Sequence, residues 1–518
     1  MNFKIKITDF VRCNKKELII LGIILLIASF CRLYKISSYM TFLGDEGRDV
    51  IIVRRLLVEG HPPLIGPGTS VGNMYLGPLY YYMMAPALLL ANFSPIGPAV
   101  MIAILGIITV AFVWWVGRIW FSKSAGLIAA GLYAISPTII YYSRSSWNPN
   151  IMPFFALLSV FSVWKVWKQK KFNWLIVMGI SFAFVLQSHY LGLLLAPTLF
   201  LFWILTFRYL KFIKNSELEI GKFLKKSMLG LLFFLGLMSP LLIFDLRHNW
   251  MNAEAFYAFF TARQPAISVN FLTAFLRFPA LFNQIITTLL GGKNPYVGWV
   301  MSIFIIIGVI ILFSYVVKNG KNNLKNMNPA IYILFSWIGF ALIGLCLYTG
   351  SIYDHYSGFV FVVPFLLTGI FISRLLDKGR FLKGFGIIIT CSLVLINLSA
   401  NPLLKDPNRL LQRSIDVSKV IEQNSDKASF NLAVIADTNY EDGYKYFLLN
   451  DNYPVVDIDA QKPDTVTNQL FVICELIPNS KCDPTHNPKA QVASFGWSKI
   501  YNSWNIDGVI IYRLVHTK

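Results

Sequence analysis

Asp45, Glu46 and Asp49 crowd into five positions beside Arg48, in the segment GDEGRD. They are three of only twelve carboxylates before residue 400, against 26 in the whole 518-residue chain. A carboxylate can take the proton of an attacking hydroxyl, and an arginine fork can steady an anionic leaving group. The cluster therefore holds the parts for group transfer to a hydroxyl. The competing use is capping of a helix N-terminus, for which one carboxylate would suffice. Three other places combine polar groups: SRSSWNPN with Arg144, Asn148 and Asn150; QSHY with His189 and Tyr190; and SIYDHYSG with Asp354, His355 and Tyr356.

Composition says what must position them. The chain is 56% hydrophobic and 14% charged, with a mean hydropathy of +0.58. That is too apolar for a soluble globule, and repeated apolar stretches are long enough to span a bilayer. The fold class is a polytopic α-helical membrane protein with about eleven spans, expected near 18–33, 97–117, 124–142, 150–166, 172–188, 190–207, 228–244, 298–317, 329–349, 357–373 and 383–399. If the N-terminus is cytoplasmic, it and the segments 118–123, 165–171, 208–226, 318–328 and 374–383 hold 24 of the 34 Lys and Arg before residue 400. Positive loops stay inside, so Asp45, His189, Asp245 and Asp354 fall on the outer side. The expected location is the cell (plasma) membrane, with the C-terminus extracytoplasmic. The net charge of +20 is mostly topology, and nucleic acid is not expected as a partner.

The first apolar run lacks a small-residue cleavage site and reads as a retained span. Residues 1–400 form the membrane domain. Residues 401–518 are less apolar and slightly acidic, and read as a small soluble extracytoplasmic α/β domain. Its expected strands are NLAVIADT, YPVVDID, QLFVICEL and GVIIYRLV, with a helix near GYKYFLLN. Cys474 and Cys482 lie there and can pair in an oxidising compartment, and no cysteine spacing reads as zinc. In the first outer loop, 34–95, GRDVIIVRRLLVE has helical periodicity, with Arg48, Ile52, Arg55 and Glu59 on one face and Val50, Val53 and Leu57 on another. HPPLIGPGTSVGN breaks it, and YLGPLYYYMMAP is expected to return aromatics to the headgroup level. The loop 245–297 carries two further amphipathic stretches, AFYAFFTAR and NFLTAFLRFPALFNQ.

The pair Asp45-Glu46, then Gly47-Arg48, an amphipathic helix and Gly-Pro-Leu-Tyr-Tyr resembles the first outer loop of GT-C lipid-linked sugar transferases. The similarity is to the glycosyltransferase family 39-like branch of protein O-mannosyltransferases and lipid A aminoarabinose transferases. The resemblance implies a GT-C fold and a glycosyltransferase. The enzyme would move a hexose or pentose, with inversion, from a polyprenyl-phosphate donor to an acceptor hydroxyl of a glycan, lipid or protein on the outer face. By position it implies Asp45 as the catalytic carboxylate, Glu46 as its neighbour and Arg48 as a contact to the donor phosphate, and Arg144 and His189 are further candidates to hold that phosphate. Asn148, Asn150, Tyr190, Asp354, His355 and Tyr356 would contact substrate. Two departures count. Asn148 and Asn150 stand where a second acid is common, and Leu76-Gly77 replaces the Glu-Lys of aminoarabinose transferases, which speaks against aminoarabinose. A divalent cation is compatible with the reaction but has no recognisable site. The other readings are a lipid or glycan flippase or transporter, which would carry charge inside its spans, and a noncatalytic scaffold.

Overall fold

The computed structural model describes residues 10–69, 74–213, 216–261, 271–318, 328–476 and 482–517. Parts of the expected outer loops, at 70–73 and 262–270, and most of the expected inner loop 318–328 lie outside the described residues. Among the described residues, seven helices are long and apolar enough to cross a bilayer: Ile96–Trp120, Asn148–Gln169, Tyr190–Leu210, Ser216–Arg247, Pro295–Leu312, Pro329–Leu347 and Arg380–Ser399. A pair bent by 59°, Asp354–Val360 with Val362–Leu376, makes an eighth if counted as one span. The expected spans 18–33, 124–142 and 172–188 fall on Lys15–Leu33, Lys123–Ile135 and Trp174–Ser188, which are shorter or flanked by charge. The chain is a multi-pass membrane protein.

Breaks between helices follow local chemistry. Pro137 ends the expected 124–142 span after Ile135, because the residue before proline is pushed out of helical conformation. The freed polar groups are used: Ser136 Oγ and Thr138 Oγ1 donate to the Leu289 and Thr288 carbonyls, at 2.7 and 2.6 Å. This fastens the amphipathic helix Phe278–Leu289, which buries Leu281, Phe282, Ile285 and Ile286. Two buried guanidiniums close helix ends. Arg144 donates to the carbonyls of Cys31 (2.6 Å) and Tyr34 (2.7 Å), and Arg32 to those of Ala28 and Ala134. A cation at a helix C-terminus meets the negative end of the dipole and carbonyls that lack helical partners.

The GDEGRD segment opens the helix Gly44–Glu59. Glu46 is the residue that caps, its Oε2 accepting from the Leu43 N–H at 3.0 Å. Val50 and Val53 are buried, while Arg55 and Glu59 pair at the surface at 3.6 Å. Two of the aromatic residues of YLGPLYYY turn into the protein. Tyr80 and Tyr81, on the helix Leu79–Leu90, are fully buried, their hydroxyls bonded to Ser146 and Asp49. A buried phenol needs a partner, and these two find one inside.

The C-terminal α/β domain has a four-stranded sheet of β1 (Asn431–Ile435), β2 (Gln469–Cys474), β3 (Ser498–Ile506) and β4 (Val509–His516), in the order β1-β2-β4-β3. β1 and β2 are parallel, joined through the helix Asp442–Asn450, and the other pairings are antiparallel. Both faces are covered. Val417, Ile421, Tyr444 and Leu448 pack on one side, and Val492 and Phe495 on the other, so β1 and β2 are buried along their whole length. Of the expected strands, YPVVDID forms only isolated bridges, Phe430 with Val455 and Asp459 with Lys462. β3 was not expected. It is joined to β4 by Asp507-Gly508, both with positive φ, a two-residue hairpin turn. Cys474 pairs with Cys482.

The domain is fastened to the first interhelical segment. Leu411 and Tyr446 share a core with Val50 and Val53, Phe42 meets Phe447 with ring centroids 5.7 Å apart, and Arg409 N–H reaches the Ser38 carbonyl. Two glycines make the approach feasible. A Cβ on Gly47 would lie 2.3 Å from the Gly443 backbone nitrogen, and one on Gly44 would lie 2.5 Å from the Tyr440 ring.

Candidate active site

Asp45 stands in the first turn of the Gly44–Glu59 helix with its side chain 43% exposed. Its Oδ1 accepts from Arg48 Nη1 (2.9 Å) and from the Tyr440 hydroxyl (2.7 Å). Among the described residues no bond reaches Oδ2. The residue borders a cavity of about 240 Å³ lined also by Tyr141, Tyr142, Trp147, Asn150 and Tyr440. A carboxylate oxygen with no donor among the described residues, on a residue that borders aromatic rings and an amide, is free to take a proton from a bound hydroxyl.

Arg48 holds the cluster together. Its Nε and Nη2 donate to Asp49 Oδ1 at 3.1 and 2.8 Å, and Nη1 donates to Asp45 and, at 3.3 Å, to the Tyr440 oxygen. Burial opposes the guanidinium charge, but Asp49, Tyr81, Tyr440 and Asp45 outweigh it and keep Arg48 protonated. Asp49 has no exposed side-chain surface. Burial raises its carboxyl above the usual range, and the bonds from Arg48 and Tyr81 pull the other way. Tyr440 is pushed upward by burial, and the neighbouring Asp45 charge adds to it, so the phenol is a donor across the accessible pH range.

Glu46, on the cavity's inner side, is buried, and desolvation raises its carboxyl to about 7 despite the Leu43 N–H bond. Between the ordinary glutamate value and 7 the folded protein holds a proton that the unfolded chain has lost, so this group makes stability fall as pH rises through that window. A displacement of that size corresponds to about 3 kcal/mol at its upper end. Glu46→Gln keeps an acceptor for the Leu43 N–H and removes the titration. Between pH 5 and 8 the wild-type protein in detergent should lose more thermal stability than the variant. Parallel melting curves against pH would contradict the assignment.

The other sequence-selected residues divide into two groups. His355 joins the site: its ring lies 4.4 Å from that of Trp147 and 6.4 Å from that of Tyr142, both cavity-lining. Behind it, His189 packs on Tyr190 (4.4 Å) and Tyr356 (4.3 Å), and His189 Nδ1 accepts from the Leu191 N–H. Tyr190 and Tyr348 bond through their hydroxyls at 3.0 Å. Asp354 Oδ2 lies 3.6 Å from Lys293 Nζ. Asn150 lines the cavity, with Nδ2 bonded to the Ser145 carbonyl and Oδ1 buried without a partner among the described residues. Arg144 and Asn148 do not line it. Arg144 is directed to the helix-end carbonyls, and Asn148 Nδ2 donates to Ser188 O at 2.7 Å. Among the described residues no three His, Cys, Asp or Glu side chains gather as a metal set.

Sequence reasoning missed Thr438, Asn439 and Tyr440, which lie nearly 400 positions from Asp45. Asn439 Oδ1 accepts from the Gly44 N–H at 2.8 Å, and its amide donates to Glu475, which also receives Tyr444 and Arg413. A signal was present: the polar run TNYEDGY begins three residues after β1 ends, and Glu475 follows β2. Functional groups gather at the carboxyl ends of parallel strands.

Comparisons with other proteins agree with this architecture. Residues 76–244 match the dolichyl-phosphate-mannose-protein mannosyltransferase family. No curated protein sequence matches the chain. Among solved structures, ArnT from Cupriavidus metallidurans bound to undecaprenyl phosphate is similar over 96% of this chain and 98% of its own, at 10% identity and a TM-score of 0.59. The archaeal oligosaccharyltransferase AglB from Archaeoglobus fulgidus, in complex with an inhibitory peptide and a dolichol-phosphate, is similar over 96% of this chain and 74% of its own, at 14% identity and a TM-score of 0.52. Against the apo form of the Archaeoglobus fulgidus oligosaccharyltransferase the figures are 85% of this chain, 14% identity and a TM-score of 0.51. There the chain spans 64% of the other protein's length. The chain has the fold of the GT-C glycosyltransferases, a helical membrane domain with a small C-terminal α/β domain.

Proposed function

We propose that the protein is an integral-membrane glycosyltransferase that moves a sugar from a polyprenyl-phosphate donor to an acceptor hydroxyl on the outer face of the membrane. The observation that carries the reading is Asp45, which borders a cavity lined by aromatic rings and an amide and has one carboxylate oxygen held by Arg48 and Tyr440 while the other has no bond among the described residues. Sugars pack on aromatic faces and bond to amides and carboxylates, so such a lining suits a saccharide. The ArnT and AglB structures, each holding a polyprenyl phosphate, support the donor class.

In the proposed reaction the acceptor O–H gives its proton to Asp45 Oδ2 as its oxygen bonds to the anomeric carbon. The bond from that carbon to the phosphate oxygen breaks, and polyprenyl phosphate leaves with the electron pair. Attack opposite the leaving group inverts the anomeric centre. Arg48 has five N–H donors and four are engaged, so one remains for the leaving phosphate. His355, beside Trp147, and Lys293, beside Asp354, supply further polar groups. Purified protein incubated with synthetic polyprenyl-phosphate hexoses and pentoses should release polyprenyl phosphate from at least one, and mass spectrometry of cell-surface glycans in a deletion strain should show the missing sugar. Release from none, with unchanged glycans, would overturn the reading.

The reading requires the Asp45 side to face outward. In a background lacking the exposed Cys13 and Cys391, an impermeant thiol reagent added to intact cells or spheroplasts should modify a cysteine at Asn424, while one at Lys171 stays protected until the membrane is opened. Labelling of Lys171→Cys alone would put the site in the cytoplasm.

A further inference from the structure

The geometry points to Tyr440 of the C-terminal domain as a positioning residue for Asp45, so that docking of this domain completes the active site. This inference rests on the proposed role of Asp45. The Tyr440 hydroxyl donates to Asp45 Oδ1 at 2.7 Å and lies 3.3 Å from Arg48 Nη1, which bonds the same oxygen. Two donors on Oδ1 fix the rotation of the carboxylate plane and leave Oδ2, which has no bond among the described residues, for the acceptor. Arg48 alone leaves that rotation to a single N–H, because two of its other donors lie on Asp49 and one on the Tyr440 oxygen.

The tyrosine is itself held from three sides. Its ring lies against Gly44, where any Cβ would meet it at 2.5 Å. Asn439 Oδ1 accepts from the backbone N–H of both Tyr440 and Gly44, tying the two chain segments through one oxygen. Behind them the Asp442–Asn450 helix rests on the backbone of Gly47. The tip of a loop in one domain is thus registered against the first helical turn of the other, and it lines the cavity together with Thr438. A lid that only covered the site would not need a bond to the reacting carboxylate.

Tyr440→Phe keeps the ring on Gly44 and removes only the hydroxyl. With the donor from the synthetic panel that wild-type protein consumes, kcat of the purified full chain should fall about 10- to 100-fold, the scale of the loss when a reacting group leaves its productive orientation. The KM for donor should stay within about twofold while kcat falls, a split that general destabilisation would not produce. If Asp45→Asn is inactive while Tyr440→Phe matches wild type, the positioning role is wrong and the proposed role of Asp45 stands. A rise in KM at constant kcat would also overturn it, by making the hydroxyl a substrate contact. Wild-type turnover by Asp45→Asn would remove the base assignment and this inference together.

Discussion

Asp45→Asn should lower transfer about 100- to 10,000-fold, the range that a positioned general base contributes, while the protein still inserts, folds and binds donor. The substitution is close to isosteric. The amide oxygen can still accept from Arg48 and Tyr440, which meet at Oδ1, so the contacts that hold the helix start and the C-terminal domain survive. What is lost is the oxygen that has no bond among the described residues, because an amide NH2 cannot accept a proton. Loss of rate without loss of donor affinity or thermal stability is the signature of a transition-state role. Near-normal turnover by the purified variant would sink the assignment. Glu46→Gln should do less harm to the rate, since Glu46 is buried and its carboxylate already receives the Leu43 N–H.

Arg48→Ala should be the most destabilising substitution in the segment. It would leave Asp49 buried with only the Tyr81 hydroxyl as a bonded partner, and breaking a buried ion pair by removing one side costs about 3–5 kcal/mol. Activity should fall as well, because Asp45 would lose one of two donors and the leaving phosphate its one remaining guanidinium N–H. Arg48→Lys should restore only part, since a single ammonium cannot bond Asp45 and Asp49 with the geometry of a planar fork. The double variant Arg48→Ala with Asp49→Asn should recover stability without recovering turnover, as the stranded charge is gone but the fork is still missing. A loss below about 0.5 kcal/mol on Arg48→Ala would mark it as an ordinary surface arginine.

Much of this protein was legible in its sequence because the bilayer imposes simple rules. Most expected spans fall on apolar helices, with 124–142 broken at Pro137 and 357–373 on a bent pair, since a backbone in hydrocarbon has to satisfy its own hydrogen bonds. The Gly44–Glu59 helix was readable from its periodicity, and the clustering of Asp45, Glu46 and Arg48 marked the segment where polar groups meet the cavity, because charge is scarce in so apolar a chain. The Asp507-Gly508 hairpin was equally readable, by its turn chemistry, and went unused.

Tertiary structure decided what each group does with its bonds. Arg48 and Arg144 look alike in sequence, yet one joins two carboxylates and the other closes a helix end, because only the fold determines which carbonyls lack partners nearby. Asp49 and Tyr81, separated by 32 positions, became a buried pair only when two helices packed. The glycines of GDEG carry no chemistry, and their use appears only once the Tyr440 ring and the Gly443 backbone lie against them. The bond from Tyr440 to Asp45 crosses 395 positions and two domains. Spacing and periodicity report on neighbours along one element, whereas a catalytic carboxylate is held by whatever the fold brings within 3 Å of it.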